Sequence, residues 1–249
     1  MCAENIASQR WGPDALDEGN QAVQQAARRA PSGTMAMSER PPTLELTVKS
    51  RLRVADHGEV FSPSWLVEDM LDLVKDESER IESRFLEPAC GPGNFLVTVL
   101  RRKLVTVTKN YGRSDFERRH HALLALMSIY GIELLEDNGD ECRRNLLELF
   151  ADYVDATEGD TWHRAARNVL AVNIVRGNAL DMTDFRKQPL VFAEWALPVP
   201  GRYQRRDFRY QSLATRASLI PGAPRAHLHE SLVPIREYPL QTVHELADG

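Results

Sequence analysis

Cysteine is scarce in this sequence, which contains only Cys2, Cys90 and Cys142. They lie far apart, are odd in number and form no CxxC pair. This spacing argues against a disulfide framework and against a zinc site, so we expect no bound metal. So few cysteines are also typical of a reducing compartment, and the expected location is the cytoplasm.

Long apolar runs and an excess of positive charge are absent as well. No stretch of about 18 apolar residues occurs, and the N-terminus has no signal-peptide core, so we expect no membrane association. The formal net charge is −5 and the sequence pI is about 5.8. This balance excludes a strongly basic, free-standing nucleic-acid binder, although it permits a local basic face.

Composition divides the chain into three parts. Residues 1–43 have too little apolar content to offset the entropy of ordering, and they predict a disordered N-terminal extension. Met35 or Met37 is a plausible true start, and residues 1–36 should be dispensable. Residues 44–210 predict one folded domain. Residues 211–249, which have several prolines and weak periodicity, predict an irregular C-terminal tail.

The apolar pattern within the domain alternates between strand and helix periods. It predicts strands at 84–87, 128–133 and 172–175, and helices at 65–74, 95–108, 115–126, 136–153 and 162–170. Ser62 or Ser64 could cap the first helix. Such alternation implies right-handed crossovers, so the predicted fold class is α/β, a mostly parallel sheet with flanking helices. Two extended runs, 189–197 and 203–210, predict a hairpin.

Residues 85–95, with the sequence FLEPACGPGNF, form a glycine turn between a predicted strand and a predicted helix. Gly91 and Gly93 have no side chains, so the backbone can approach a ligand closely. In open α/β sheets ligands bind at the carboxyl ends of strands, which is where this turn lies. Taken alone, the two glycines are explained equally well by a tight strand-to-helix turn.

The complete segment resembles the S-adenosylmethionine (AdoMet) binding motif of the N6-adenine DNA methyltransferases, the modification subunits of restriction-modification systems. The resemblance implies a Rossmann-like, AdoMet-dependent methyltransferase fold with AdoMet as cofactor. It also implies that Glu87, Pro88, Ala89, Gly91 and Gly93 hold the methionine part of AdoMet, with Glu87 facing its ammonium group. We expect the Cys90 next to them to pack within the turn rather than act as a nucleophile.

Two later segments follow in the order that the family uses. The resemblance implies that Glu133 accepts hydrogen bonds from both ribose hydroxyls and that Leu134 lies against the adenine ring; an exposed glutamate at a strand end is the alternative. Asn178 and Ala179 stand where the family commonly has Gly-Asp-Ala-Leu. The amide oxygen of Asn178 could accept from the adenine amino group. Asp181 is interpreted as a loop residue or helix cap.

An upstream segment, residues 58–63 (GEVFSP), resembles the family's Val-Phe-Thr-Pro segment. The resemblance implies that Phe61 packs near AdoMet and that Ser62 bonds to it. A helix entry with a hydrophobic staple explains this segment equally well.

The family's catalytic motif, Asn/Asp/Ser-Pro-Pro-Tyr/Phe, does not occur where it belongs. There the sequence is LVFAEW, residues 190–195. Phe192 and Trp195 could stack on a flipped base, and Glu194 could accept from its amino group; Glu194 and Trp195 are weak catalytic candidates, and the catalytic residues stay unknown. The favoured alternative is alternation on a half-buried hairpin. Its inward residues would be Val191, Ala193, Trp195 and Leu197.

The expected function is AdoMet-dependent methylation of adenine N6 in DNA, which could require a specificity or restriction subunit as partner. The alternative is a catalytically silent AdoMet- or DNA-binding accessory subunit, and methyl transfer to RNA or protein is a third possibility. The basic cluster at 205–209, together with Lys49, Arg51 and Arg53, could contact DNA phosphates. The alternative is that these basic residues simply belong to a solvent-exposed charged surface.

Overall fold

The computed structural model describes Arg53, residues 62–211 and residues 233–249. It is a mixed α/β structure. Its first sheet has the order β1 (Phe85–Glu87), β2 (Ile129–Glu133), β3 (Ile174–Asn178) and β4 (Thr183–Asp184). The first three strands are parallel, with Phe85 opposite Ile129 and Gly131 opposite Ile174, and β4 is antiparallel to β3. The sequence-based prediction of a mostly parallel sheet is therefore confirmed.

The helices occupy the crossovers of this sheet and the segments before and after it. Helices α1 (Ser64–Asp72) and α2 (Lys75–Ser78) precede β1, whereas α3 (Asn94–Tyr111) and α4 (Asp115–Met127) connect β1 to β2. Helices α5 (Glu136–Val154) and α6 (Thr161–Asn173) connect β2 to β3. Side-chain caps start two of them, because Ser114 accepts from the amide of Glu117 and Asp160 accepts from the amide of Trp162.

The core lies where these helices meet the sheet. All five residues of β2 are buried, as expected of a central strand in a parallel sheet. The helices contribute their apolar faces to the same core, which includes Leu96, Leu100, Leu123, Leu126, Leu146, Phe150, Val169 and Leu170. Among the described residues, no helix has the length and apolar character needed to cross a membrane.

Several predicted element boundaries and one predicted helix cap differ from the structure. The helix predicted to end at residue 170 continues to Asn173, so β3 begins at Ile174 and not at residue 172. Helix α1 has Pro63 as its N-cap and no side-chain cap, so neither Ser62 nor Ser64 has the predicted capping role. The carbonyl of Pro63 instead accepts from the amides of Leu66 and Val67.

The second sheet is antiparallel and contains the predicted hairpin. Strands β5 (Val191–Val199) and β6 (Arg202–Arg209) pair directly, and β7 (Arg236–Glu237) pairs with β6. Of the residues predicted to point inward, Ala193 and Trp195 are buried and Val191 and Leu197 are half-buried. Phe192 on the opposite face is buried too. Its ring centroid lies 5.7 Å from that of Tyr130, with the two rings nearly perpendicular.

Residues 233–249 are not the irregular tail that the sequence predicted. They contain β7 and a last helix, α7 (Val243–Asp248), which begins with a capping box formed by Thr242 and Glu245. This helix packs on α6, and Asn168 donates to the carbonyls of Leu246 and Ala247. Six helical residues are too few for a periodicity signal, so only the capping box could have indicated the helix. The remainder of the predicted tail, residues 212–232, and the predicted extension, residues 1–43, lie outside the described residues.

Candidate functional site

The glycine turn joins the carboxyl end of β1 to the start of α3. Gly91 has a φ of 52° and Gly93 a φ of 92°, both in the left-handed region that favours glycine. A Cβ atom at Gly93 would lie 2.7 Å from the Sγ of Cys142 on α5. Close packing and backbone conformation therefore both require glycine at residue 93.

Neighbouring elements hold the turn in place through its own backbone. The amide of Cys90 donates to the carbonyl of Ile132 on β2 at 3.0 Å. The amide of Gly91 donates to the Glu133 carboxylate at 2.8 Å, and Asn145 of α5 donates to the carbonyl of Pro92 at 2.9 Å. Three such bonds to β2 and α5 fix the conformation of the turn.

Glu133 is the residue that connects the ends of the first two strands. Its side chain is buried, with the residue 8% exposed, and its second oxygen accepts from the amide of Leu135 at 2.9 Å. Each carboxylate oxygen has about two lone-pair sites, so one on each oxygen remains after these two bonds. The carboxylate thus fixes the glycine turn and still has capacity to accept from a ligand.

Glu87, the last residue of β1, is half-buried beside the turn. Burial raises the pKa of its carboxyl group, and a bond from the amide of Ala89 opposes that shift. A cation placed next to Glu87 would stabilise the ionised form and be bound by it. Pro88 is half-buried in the turn between Glu87 and the exposed Ala89.

The Cys90 thiol packs inside the turn, as the sequence predicted. A hydrogen bond with Cys142 and burial both raise the pKa of the Cys90 thiol. Because the thiolate is the reactive form, this environment disfavours a nucleophilic role. Both cysteines are free, and within the described ranges no three or more His, Cys, Asp or Glu side chains are grouped so that they could hold a metal.

The loop after β3 differs from the expectation for Asn178. Its amide oxygen accepts from the amides of Leu180 and Asp181 at 2.9 and 3.3 Å. The oxygen that was expected to accept from adenine is therefore already engaged within the loop. Ala179 beside it is half-buried and packs against the hydrophobic core.

Two leucines follow the ends of β2 and β3 and stay exposed. Leu134 is 52% exposed, and Leu180 is 92% exposed. No sequence signal marks Leu180, because single exposed apolar side chains are common on protein surfaces. Ser62, before α1, is exposed, and Phe61 lies outside the described residues.

The weak catalytic candidates Glu194 and Trp195 have partners at the opposite end of the sheet. Glu194 forms ion pairs with Arg84 at 2.6 Å and with Arg206, and the indole Nε1 of Trp195 donates to Asn173 at 3.0 Å. Arg84 and Asn173 directly precede β1 and β3. At roughly 3.3 Å per strand residue, the length of β3 puts about 16 Å between Asn173 and the carboxyl edge. The favoured interpretation, a structural hairpin, therefore agrees better with these contacts.

Several basic residues predicted to contact phosphates are also paired within the protein. Arg205 forms an ion pair with Asp207 at 2.8 Å, and Arg53 pairs with Asp137 at 2.6 Å. Arg209 is exposed, whereas Lys49 and Arg51 lie outside the described residues. Internal pairing reduces the positive charge that the hairpin could offer to DNA.

The carboxyl edge of β1 to β3 combines a glycine turn held by β2 and α5, carboxylates and exposed apolar side chains. Such an edge can bind a ligand that has a cation, hydroxyl groups and a flat apolar ring. No protein-family model, curated protein or solved structure matches this chain.

Proposed function

We propose that this chain binds AdoMet at the carboxyl edge of β1 to β3, within a Rossmann-like methyltransferase fold. We further propose that it contributes this site to the N6-adenine DNA methyltransferase of a restriction-modification system. The bond from the Gly91 amide to Glu133 is the observation that best supports the proposal. It joins the two parts of the sequence on which the resemblance depends, the glycine turn and the acidic end of β2.

The residues present fit the parts of AdoMet. Glu133 has lone pairs left for ribose hydroxyls, and Leu134 offers an apolar surface to adenine. Glu87 suits the ammonium group, and the first-turn amides of α3, which begins at a glycine N-cap, suit the carboxylate. AdoMet, when bound, supplies an electrophilic methyl group; these residues bind and orient it.

A second candidate function is a catalytically silent AdoMet- or DNA-binding subunit. The engagement of Glu194 and Trp195 at the far end of the sheet favours it, since neither side chain is placed to accept from a target amino group. In a complete enzyme, a partner subunit would then supply the groups that receive the base and the region that recognises DNA.

Calorimetric titration of the full chain with AdoMet tests the cofactor. We expect saturable binding, and we expect Glu133→Gln to weaken it about 10- to 100-fold, because a charged acceptor is worth about 1.5–3 kcal/mol. The exposed Glu148 on α5 offers a charge-matched control, Glu148→Gln, which should bind normally. A folded wild-type protein that does not bind millimolar AdoMet would refute the proposal.

Transfer of a tritiated methyl group from AdoMet to mixed genomic DNA separates the two candidate functions. We expect little or no transfer by the isolated chain, because losing one positioned group typically costs about 3–4 kcal/mol of transition-state stabilisation. Transfer that appears only with co-purified partners would support the enzyme subunit, and none under either condition would support the silent subunit. Robust N6-methyladenine formation by the isolated chain, abolished by Glu194→Gln, would show instead that the hairpin is catalytic.

A further inference from the structure

Lys103 of α3 contacts the chain just before β1 and β2 begin, at the opposite end of the sheet from the glycine turn. Its side chain is fully buried. Its Nζ lies 3.1 Å from the carbonyl of Ile81 and also bonds to the carbonyl of Ser83. A third bond, at 2.6 Å, joins Nζ to the hydroxyl of Ser128, the residue that directly precedes β2. A buried amine is thus held against a serine hydroxyl.

These neighbours suit both charge states of Lys103. As an ammonium group, Nζ donates to all three oxygens, and the Ser128 hydroxyl donates its own hydrogen to the carbonyl of Ala125 at 2.7 Å. As a neutral amine, Nζ keeps two hydrogens for the two carbonyls, and its lone pair faces the hydroxyl. A proton can therefore pass between Ser128 and Lys103 without leaving a buried donor unpaired.

The surroundings of Lys103 favour the neutral amine. Burial lowers the pKa of Lys103 to about 7, and the charge of Arg80 acts in the same sense, whereas Glu82 and Glu77 oppose the shift. A base whose pKa is close to the ambient pH is well suited to proton transfer, because it is largely deprotonated and still basic enough to accept.

Ser128 also lies in the wall of a cleft of about 300 Å³ between α4 and the hairpin. Leu124 and Met127 of α4, together with Trp195 and Leu197 of β5, give this cleft apolar sides. Ligand sites are typically concave and mostly apolar, with a few polar groups that provide specificity. An ionisable group with a shifted pKa beside such a cleft is a physical mark of an active site.

We propose that Ser128 is a nucleophile, with Lys103 as its general base, for acyl transfer from small esters that bind in this cleft. A serine hydroxyl is a weak nucleophile until an adjacent base removes its proton. As Oγ bonds to the ester carbonyl carbon, Nζ takes the hydroxyl proton; the ester C–O bond then breaks and the departing alcohol receives that proton. Water next attacks the acyl-serine, Nζ takes a proton from the water, and Oγ regains it. One ester and one water give one acid and one alcohol.

The cleft also indicates the substrate class, because its apolar sides suit a short acyl group. The site is separate from the glycine turn. Ser128 and Glu133 lie at opposite ends of β2, whose five residues span about 16 Å. The inference therefore goes beyond the proposed function and does not depend on AdoMet binding.

Hydrolysis of p-nitrophenyl butyrate by the full chain, together with labelling by a biotinylated fluorophosphonate, tests this activity. We expect turnover above the buffer background and a label on the peptide that contains Ser128, where Oγ displaces fluoride from phosphorus. Ser128→Ala should remove both. Ser83→Ala is the matched control and should keep both, because the Ser83 hydroxyl bonds to Arg80 and Glu77 while its carbonyl stays available to Lys103.

Two further measurements test the base and the cleft. Turnover by wild type should rise as the pH passes the Lys103 pKa of about 7 and level off above it, because Nζ loses its proton. Lys103→Met should lower turnover about 100-fold or more, the usual contribution of a general base. Leu197→Trp should fill the cleft without altering Ser128 or Lys103, so it should raise KM for the ester.

An unlabelled Ser128 in the folded wild type, or turnover that persists in Ser128→Ala, would overturn the inference. So would a folded Lys103→Met variant with full turnover, or a Leu197→Trp variant with unchanged KM. If Lys103→Met does not fold, the wild-type pH profile decides, and a rate that stays flat through pH 7 overturns the role of Lys103.

Discussion

The two ends of the parallel sheet differ in how they use polar side chains. At the carboxyl edge, Glu133 retains lone pairs, Asp181 is exposed, and the backbone is held in a turn that requires glycine. At the amino edge, Arg84 is paired with Glu194, and Asn173 bonds to Trp195 and to the carbonyls of Met127 and Ile129. Polar groups at the first end have capacity left for a ligand, and those at the second are used to join the hairpin to the sheet.

This difference teaches how to separate a binding group from a structural one when both are polar and both are largely removed from solvent. Glu133 and Glu194 are both glutamates at strand positions. Within the part of the chain that the structure describes, Glu133 accepts from two backbone amides, which fix it without neutralising it, whereas Glu194 lies between two guanidinium groups. A carboxylate paired with two arginines has little electrostatic reason to accept from a neutral ligand.

The largest effect is expected from Gly93→Ala. Gly93 and Gly159 both have positive φ, 92° and 84°, but a Cβ at Gly93 would meet Cys142, whereas one at Gly159 would meet nothing within 4 Å. We expect Gly93→Ala to lower the free energy of unfolding by about 3 kcal/mol, from backbone strain plus overpacking. Gly159→Ala, the matched control, should cost about 1 kcal/mol from strain alone. Equal losses in urea unfolding would contradict the close packing of the turn.

Lys103 provides a pH-dependent test of the amino edge. It is fully buried and donates to the carbonyls of Ile81 and Ser83 and to the hydroxyl of Ser128. Burial lowers the pKa of Lys103 to about 7 from the ordinary 10.5, so between these values the unfolded chain binds more protons than the folded protein. The contribution of Lys103 to stability should therefore rise with pH, by at most about 1.4 kcal/mol per unit.

The measurement is the free energy of unfolding of wild type and Lys103→Met at pH 7, 8 and 9. Their difference should move in favour of wild type as pH rises, because folding must remove a proton from Lys103 and that removal costs less as the pH approaches the pKa of the unfolded chain. Lys109→Met, an exposed change near the end of the same helix, controls for the loss of a lysine. A difference that is constant across the three pH values would show that Lys103 stays charged in the folded protein.

The smallest effect is expected from Trp195→Phe. This variant tests directly whether the amino and carboxyl edges of the sheet act independently. The change leaves the buried Asn173 oxygen without its donor and should cost about 1–2 kcal/mol of stability. AdoMet affinity should not change, because the contact lies at the amino edge. Trp65→Phe, on the exposed surface of α1, should alter stability by no more than about 0.5 kcal/mol. Weaker AdoMet binding by Trp195→Phe would mean that the two ends of the sheet are coupled.

Much of the fold could be predicted because the signals were local. The periodicity around residues 95–108 and 136–153 identified α3 and α5, and the extended runs around residue 200 identified the hairpin. Helix α7 was missed because a six-residue helix depends on burial against α6 and not on its own pattern. The role of Asn178 was predicted from its position in the resemblance, although an asparagine that accepts from the amides two and three residues on is a local turn pattern typical of this residue type.

The sequence by itself determined the order of the elements and the position of the glycine turn, because strand and helix periods and the need for positive φ are properties of neighbouring residues. Only the tertiary structure decided that Glu133 fastens that turn and that Glu194 and Trp195 join the hairpin to the amino edge of the sheet. These outcomes depend on which groups meet across 20 to 110 residues of chain. Hydrogen bonds and ion pairs form between the groups that packing brings within about 3 Å. Residue type therefore determines which bonds a side chain is able to form, and its packed neighbours determine which of them it forms.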